Sequence, residues 1–306
     1  MTTQAIAVDV GGTEIKAALV DVGPDAAATL RQVRRRTPRG ADGPATADLV
    51  IDTVADIVSE LRTGDARAVG VVVPGIVDEQ HGLGVFSANL GWRDEPLRDR
   101  LAERIDLPLA FGHDVRAGGL AEARFGAARG MRNVIVMPIG TGISAAMIFE
   151  GRIHSADGRA GEVGHVDIGH GEPCQCGGTG CVEAVASSAA VARRYTARTG
   201  TPVDGAAAVA AAVRDGDPDA VAVWHEAVDA LARGLVTLTA VLAPEGIVLG
   251  GGLAMAGRLL TEPLAARLDD MLLPFHRRPR LELAELGDTA GCLGAALLAT
   301  EGLSAP

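Results

Sequence analysis

Residues 5–23, AIAVDVGGTEIKAALVDVG, and residues 134–152, VIVMPIGTGISAAMIFEGR, follow one plan used twice. Each is a short β-branched strand, a glycine-threonine turn and a second apolar strand ending near an acidic residue. Aligned, Gly11 falls on Gly140, Gly12 on Thr141 and Thr13 on Gly142. A repeat roughly 130 residues apart is too long for a solenoid and points to a duplicated lobe.

Working outward, the remaining segments fit two α/β lobes. Residues 48–62 and 97–106 read as helices, 68–75 as a buried strand, and 107–114 as a strand running into a loop. Residues 115–126 open a helix that leads to the second glycine turn, and 184–198 and 218–243 are long Ala-rich helical runs. A strand over 245–253 meets a glycine triplet, and 291–302 is a final apolar helix. The expected small N-terminal lobe is 1–115, with the C-terminal helix, 291–306, packing back on it, and the large lobe is 116–290.

A chain of 306 residues suits two cores better than one, and 48% hydrophobic with 22% charged residues is ordinary globular composition. The net charge of −11 argues against a nucleic-acid or anionic-membrane surface. The one basic run, RQVRRRTPRG at 31–40, has no interleaved aromatics and reads as a solvated face or strand end. No apolar stretch approaches the ~20 residues of a membrane span. Met1 leads almost directly into an alternating apolar run containing Asp9, so no secretory signal is expected and the cytoplasm is the expected compartment.

Glycine turns let a backbone approach an anion and aim its N–H groups at it. In DVGGT (9–13) the turn of Gly11 and Gly12 gains the Thr13 hydroxyl, and Asp9 is placed to hold a hydrated Mg²⁺. Gly140, Thr141 and Gly142 offer a second such turn; Gly250, Gly251 and Gly252 offer a third near a helix start. Three such turns favour a nucleotide, although none fits the P-loop or Rossmann spacing. Lys16 is the one lysine among 28 basic residues and lies three positions past the first turn, where it suits phosphate contact or a local ion pair.

Residues 161–183, GEVGHVDIGHGEPCQCGGTGCVE, hold three of the four cysteines. Cys174, Cys176 and Cys181 supply three ligands of a tetrahedral zinc site, and His165 or His170 supplies the fourth. Asp114, at a strand-to-helix junction, is a candidate general base or a plain helix cap.

Together DVGGTEIKAALVD, NLGW, HDVRAGGLAE, GTGIS, GEVGH and CQCGGTGCVE resemble the ROK family of sugar kinases and repressors, over nearly the whole chain. The resemblance implies an actin-like, hexokinase-type duplicated two-lobe α/β fold, with a hexose and ATP in the cleft between the lobes. Repressor members carry an extra N-terminal helix-turn-helix; here the first turn begins near residue 9, which implies a kinase-type member. The resemblance makes His165 the fourth zinc ligand, its other ring face meeting a sugar hydroxyl between Glu162 and Glu183. It makes Asp114 the catalytic base and Gly75, Asn89 and His113 further sugar-site residues. Mg²⁺, a structural Zn²⁺ and a homodimer or homotetramer follow in the same way.

The chain departs from the family at His113 and Arg116, where the usual pattern has asparagine and a small residue or asparagine. A histidine titrating near neutral pH at the sugar is the expectation there. Asn89 favours glucose, with mannose, fructose or an N-acetylated hexosamine next; the donor is ATP or polyphosphate. A sugar sensor without turnover is the non-enzyme alternative.

Overall fold

The first copy of the repeat is a hairpin of β1 (Thr3–Val10) and β2 (Glu14–Val22) in the computed structural model, which describes residues 2–303. The apolar residues of β1 are buried on both faces, as the uninterrupted run Ala5–Val8 requires of an inner strand. β3 (Ala27–Arg36) extends the sheet at its edge, and only Val33 turns fully inward. The basic run is therefore most of an edge strand, whose charged side chains discourage further strand pairing.

α1 (Gly43–Leu61) starts where Asp42 accepts the Ala45 N–H and a proline occupies the first turn. β4 (Ala66–Val73) follows, then three short strands, β5 (Ile76–Asp78), β6 (Leu83–Phe86) and β7 (Arg93–Glu95), that form a small sheet of their own. α2 (Leu97–Ala102), β8 (Leu109–His113) and α3 (Asp114–Phe125) complete this stretch. The main sheet has the order β3-β2-β1-β4-β8, with β1, β4 and β8 parallel.

This first unit takes residues up to Arg129, then Ile153–Ala160, and the chain from Asp288 onward. The division falls after Arg129 and not after 115, because α3 packs along the C-terminal helix (Ala290–Gly302). That helix also lies on β1, β4 and β8; its expected extension over 304–306 falls outside the described residues.

The second unit, Gly130–Arg152 and Gly161–Gly287, holds the second copy. β9 (Val134–Pro138) and β10 (Ala146–Phe149) are its hairpin, and β11 (Arg152–His154) begins at the boundary residue Arg152. α4 (Val182–Ala186) and α5 (Ser188–Thr199) are separated by the cap residue Ser187, so the run over 184–198 is broken rather than continuous. Next come α6 (Gly205–Arg214), α7 (Pro218–Leu242), β12 (Gly246–Gly250), α8 (Gly251–Ala254), α9 (Arg258–Met271) and β13 (Arg280–Leu283). The sheet order is β11-β10-β9-β12-β13, and α7 buries Val223, Trp224, Leu231 and Leu235 in the core beside it.

The two hairpins differ by one residue. Val10 pairs with Ile15 across Gly11–Glu14, whereas Ile139 bridges Ile143 across Gly140–Gly142. The alignment of the repeat therefore holds for the outgoing strands and slips by one on the return.

Candidate active site

The candidate residues fall into two sets, one on each unit. In the first unit, Asp9 pairs with Val72 and Val72 with Gly112 across three parallel strands. The carboxyl ends of β1, β4 and β8 thus bring Asp9, Gly75, His113 and Asp114 to one edge of the sheet, the edge at which open α/β sheets bind ligands.

Asp114 is the first residue of α3, but it is not the cap. His113 is the N-cap, its Nδ1 accepting the Arg116 backbone N–H at 3.3 Å. Asp114 Oδ1 accepts the Val115 N–H at 2.6 Å. Burial, then the charge of Asp9, push the Asp114 carboxyl up to about 7 despite that bond and despite Arg116. The helix end does not by itself keep it ionised; the low-dielectric surroundings outweigh the dipole. A side chain still 25% exposed leaves the carboxylate within reach of a substrate hydroxyl.

Asp9 is raised to about 6, chiefly by burial, with Lys16 opposing and Asp288 adding to the rise. Lys16 Nζ lies 3.5 Å from Asp288 Oδ2 and donates to the Asp288 carbonyl, which gives it the local ion pair. In the turn after β1 the Gly11 N–H donates to the Glu14 carbonyl at 2.9 Å. Thr37 holds the carbonyls of Gly11 and Thr13, and Arg39 donates to those of Gly12 and Asn89. Arg39 thereby fastens the first turn beside Asn89. It lay inside the basic run and carried no local signal, because its acceptors are backbone atoms of two other segments.

His113 does not show the near-neutral titration expected of it. Its ring is buried: burial first, then the charge of Arg116, hold its pKa down at about 3. Nδ1 is occupied by the cap, and Nε2 sits 3.3 Å from Asp114 Oδ1 with the Gly75 carbonyl as a further partner. It is therefore neutral near pH 7 and does not titrate there. Arg116 is only 3% exposed on its side chain; Nε meets Glu79 Oε1 at 3.1 Å and Nη2 donates to the Val77 carbonyl at 2.9 Å.

In the second unit the remaining two turns are neighbours. The Ile139 N–H donates to the Gly250 carbonyl at 2.9 Å, and the Leu253 N–H to the Ile139 carbonyl at 3.1 Å. Gly251 has φ +76°, and a Cβ there would lie 2.6 Å from the Ile139 carbonyl oxygen, so the close approach needs glycine. Ser188, which sequence reading did not single out, donates its N–H to the Gly140 carbonyl and its hydroxyl to that of Ile139. Gly140, Thr141 and Gly142 thus stand beside Gly250, Gly251 and Gly252. Glu183 Oε2 accepts the Ile143 N–H at 2.7 Å and so braces the same turn.

The cysteine-rich stretch forms one cluster. One ligand atom each from His165, Cys174, Cys176 and Cys181 lies within 4.8 Å of all the others. Cys176 and Cys181 sulfurs are 3.7 Å apart, and Cys174 Sγ is 3.8 Å from His165 Nδ1. A tetrahedron with metal–sulfur bonds of ~2.3 Å has edges near ~3.8 Å, so these residues fit a zinc ion. The three cysteines are free thiols, and His170 is turned instead to the Glu172 N–H. With Nδ1 toward the sulfurs, His165 Nε2 points away and lies 3.8 Å from Glu162 Oε2.

Residues 5–302 match the ROK family. The glucokinase of Streptomyces coelicolor is 33% identical, with 97% of each chain covered. The N-acetyl-D-glucosamine kinase of Escherichia coli is 32% identical, covering 95% of this chain and 97% of its own. A ROK family glucokinase from Streptomyces griseus, solved in complex with glucose and AMPPNP, superposes with a TM-score of 0.82 at 31% identity, covering 97% of this chain and 99% of that one. The fold is the duplicated α/β, actin-like hexokinase type. By sequence along nearly its whole length, the chain belongs to the ROK family.

Proposed function

We propose that the protein is an ATP-dependent hexose kinase, a glucokinase that transfers the γ-phosphate to the 6-hydroxyl of glucose. The observation that carries this reading is Asp114, a reachable carboxylate held up to about 7, at the sheet edge it shares with Asp9. A base with a pKa near the working pH takes a hydroxyl proton efficiently. Asp114 would remove that proton as the acceptor oxygen attacks phosphorus. Asp9 would hold Mg²⁺ through water, and the metal would supply charge neutralisation at the phosphates. The turns of Gly11 and Gly12, of Gly140 to Gly142, and of Gly250 to Gly252 would take the nucleotide.

Zinc, when bound, would supply a fixed scaffold: it locks His165 as an Nε2–H donor. That donor, with Glu162 and Asn89, would read sugar hydroxyls. Gly75 belongs to the same sugar set. Glu183 would act through the turn it braces, and the assembly would be a homo-oligomer in the cytoplasm.

Kinetics with glucose, mannose, fructose and N-acetylglucosamine, each with ATP or polyphosphate, test the assignment. Highest kcat/KM with glucose and ATP is expected. Preference for N-acetylglucosamine would place the protein with the N-acetyl-D-glucosamine kinase of E. coli, which is the second reading. Asp114→Asn should bind glucose and lose about 10²–10⁴ in rate.

A further inference from the structure

The Arg116 backbone N–H donates to His113 Nδ1 at 3.3 Å, so that nitrogen is an acceptor. A neutral imidazole has one donor and one acceptor, which assigns the proton to Nε2. Nε2 lies 3.3 Å from Asp114 Oδ1, with the Gly75 carbonyl as its other neighbour.

The ring is fixed from behind. Glu79 Oε1 accepts the His113 backbone N–H at 3.0 Å and the Arg116 Nε–H at 3.1 Å. Arg116 is then spent on the carbonyls of Val77 and Gly158. Its full charge beside the imidazole opposes a second proton on the ring, so the donor on Nε2 persists. Asp114 Oδ1 also receives the Val115 N–H at 2.6 Å. The Val115 N–H and, at 3.3 Å, the His113 Nε2 edge face the same carboxylate oxygen.

We propose that His113 is a positioning residue for the reaction: its Nε2–H pins Asp114 Oδ1, so that Oδ2 is the oxygen presented to the acceptor hydroxyl. The Glu79–Arg116 pair holds the imidazole in that tautomer. This rests on reading Asp114 as the base. It replaces direct sugar contact by His113 with control of the base beside it. The charged groups around Asp114 are Asp9 on β1, Arg116 on its own helix and, past Arg116, Glu79.

Two substitutions separate the ring's two jobs. His113→Asn keeps a good N-cap acceptor but is too short to put a donor where Nε2 stands. His113→Gln reaches further and gives up the cap. For His113→Asn the melting temperature should stay close to the parent's, while kcat falls about 10- to 100-fold, the worth of one hydrogen bond to a charged group. Glucose KM should hardly change. A donor to a carboxylate lowers its pKa, so its loss moves the acid limb of kcat/KM to higher pH. His113→Gln should melt earlier yet keep more of kcat.

Unchanged kcat and an unchanged acid limb in His113→Asn would reduce His113 to a helix cap. A raised glucose KM at full kcat would instead put the ring on the sugar. Should either variant misfold, ¹H–¹⁵N spectra of the parent imidazoles decide the matter: an Nδ1–H tautomer, or a titration of His113 between pH 5 and 8, overturns the proposal. Asp114→Asn keeps the two ideas apart, since full turnover in that variant refutes the base whatever His113 does.

Discussion

Asp9 and Gly291 are packed so closely that a Cβ on Gly291 would lie 2.2 Å from Asp9 Oδ2 and 2.6 Å from its Cγ. The carboxylate lies directly on the bare backbone of the C-terminal helix, and no side chain fits between. Burial by that helix is part of why Asp9 is raised to about 6.

Gly291→Ala should therefore turn the Asp9 carboxylate aside. The helix itself gains about 1 kcal/mol of propensity from the added methyl. That gain offsets strain, so the melting temperature should move by only a few degrees. ATP turnover should fall at least tenfold while glucose binding by titration calorimetry persists. Normal turnover would show that Asp9 is not needed where it stands.

The two raised carboxyls set a pH dependence. Asp114 titrates near 7 and Asp9 near 6, both above the ordinary 3.8. In the folded chain they bind protons that the unfolded chain has already released. Their contribution to stability is therefore full below about pH 4 and is lost as pH rises through 6 and 7. Activity runs the other way, because the base must be unprotonated; kcat/KM should climb with pH to a limb near 7. Asp9→Asn removes the neighbouring charge, so the Asp114 carboxyl carbon should titrate at lower pH by ¹³C NMR. An unmoved titration would show that burial alone sets it.

The local features of the chain were legible in the sequence: the repeat, Asp114 at a strand end, and three cysteines two and five residues apart. His165 as the partner of Cys174 came from the family resemblance, since spacing alone left His170 open. What stayed illegible depends on segments distant in the chain. Arg39 acts on the carbonyls of Gly12 and Asn89, and Ser188 on those of Ile139 and Gly140. His113 had the chemistry of a titrating contact in sequence and lost it through burial beside Arg116. The small sheet of β5 to β7 escaped notice because three- and four-residue strands give almost no period to read.

The zinc cluster predicts an uneven loss. Cys176→Ser should release zinc, and with it the lock on His165. Losses of this supporting kind cost about 10- to 100-fold. The loss should fall on glucose KM and leave ATP KM within about twofold, since the phosphate turns keep their own bracing from Ser188 and Glu183. Zinc content by mass spectrometry of metals and both KM values decide it. A zinc-free variant with parental glucose KM would separate the metal from the sugar site.

Arg116 supplies the last test, on stability. Its guanidinium is buried and serves Glu79, the Val77 carbonyl and the Gly158 carbonyl together. Arg116→Ala leaves Glu79 without its cation and two carbonyls without donors. Breaking a buried pair from one side costs about 3–5 kcal/mol, and Glu79, with 29% of its side chain exposed, can recover some hydration. A loss of about 3 kcal/mol in urea unfolding is expected. Arg116→Lys carries the same charge on a single point and cannot serve three acceptors in different directions. It should recover less than half of the loss. Within 1 kcal/mol of the parent, or full rescue by lysine, the three-way arrangement would contribute little. Because the same guanidinium flanks His113, Arg116→Ala should also let that imidazole protonate more easily: its pKa should rise from about 3 toward the ordinary 6.5, visible as a new histidine titration.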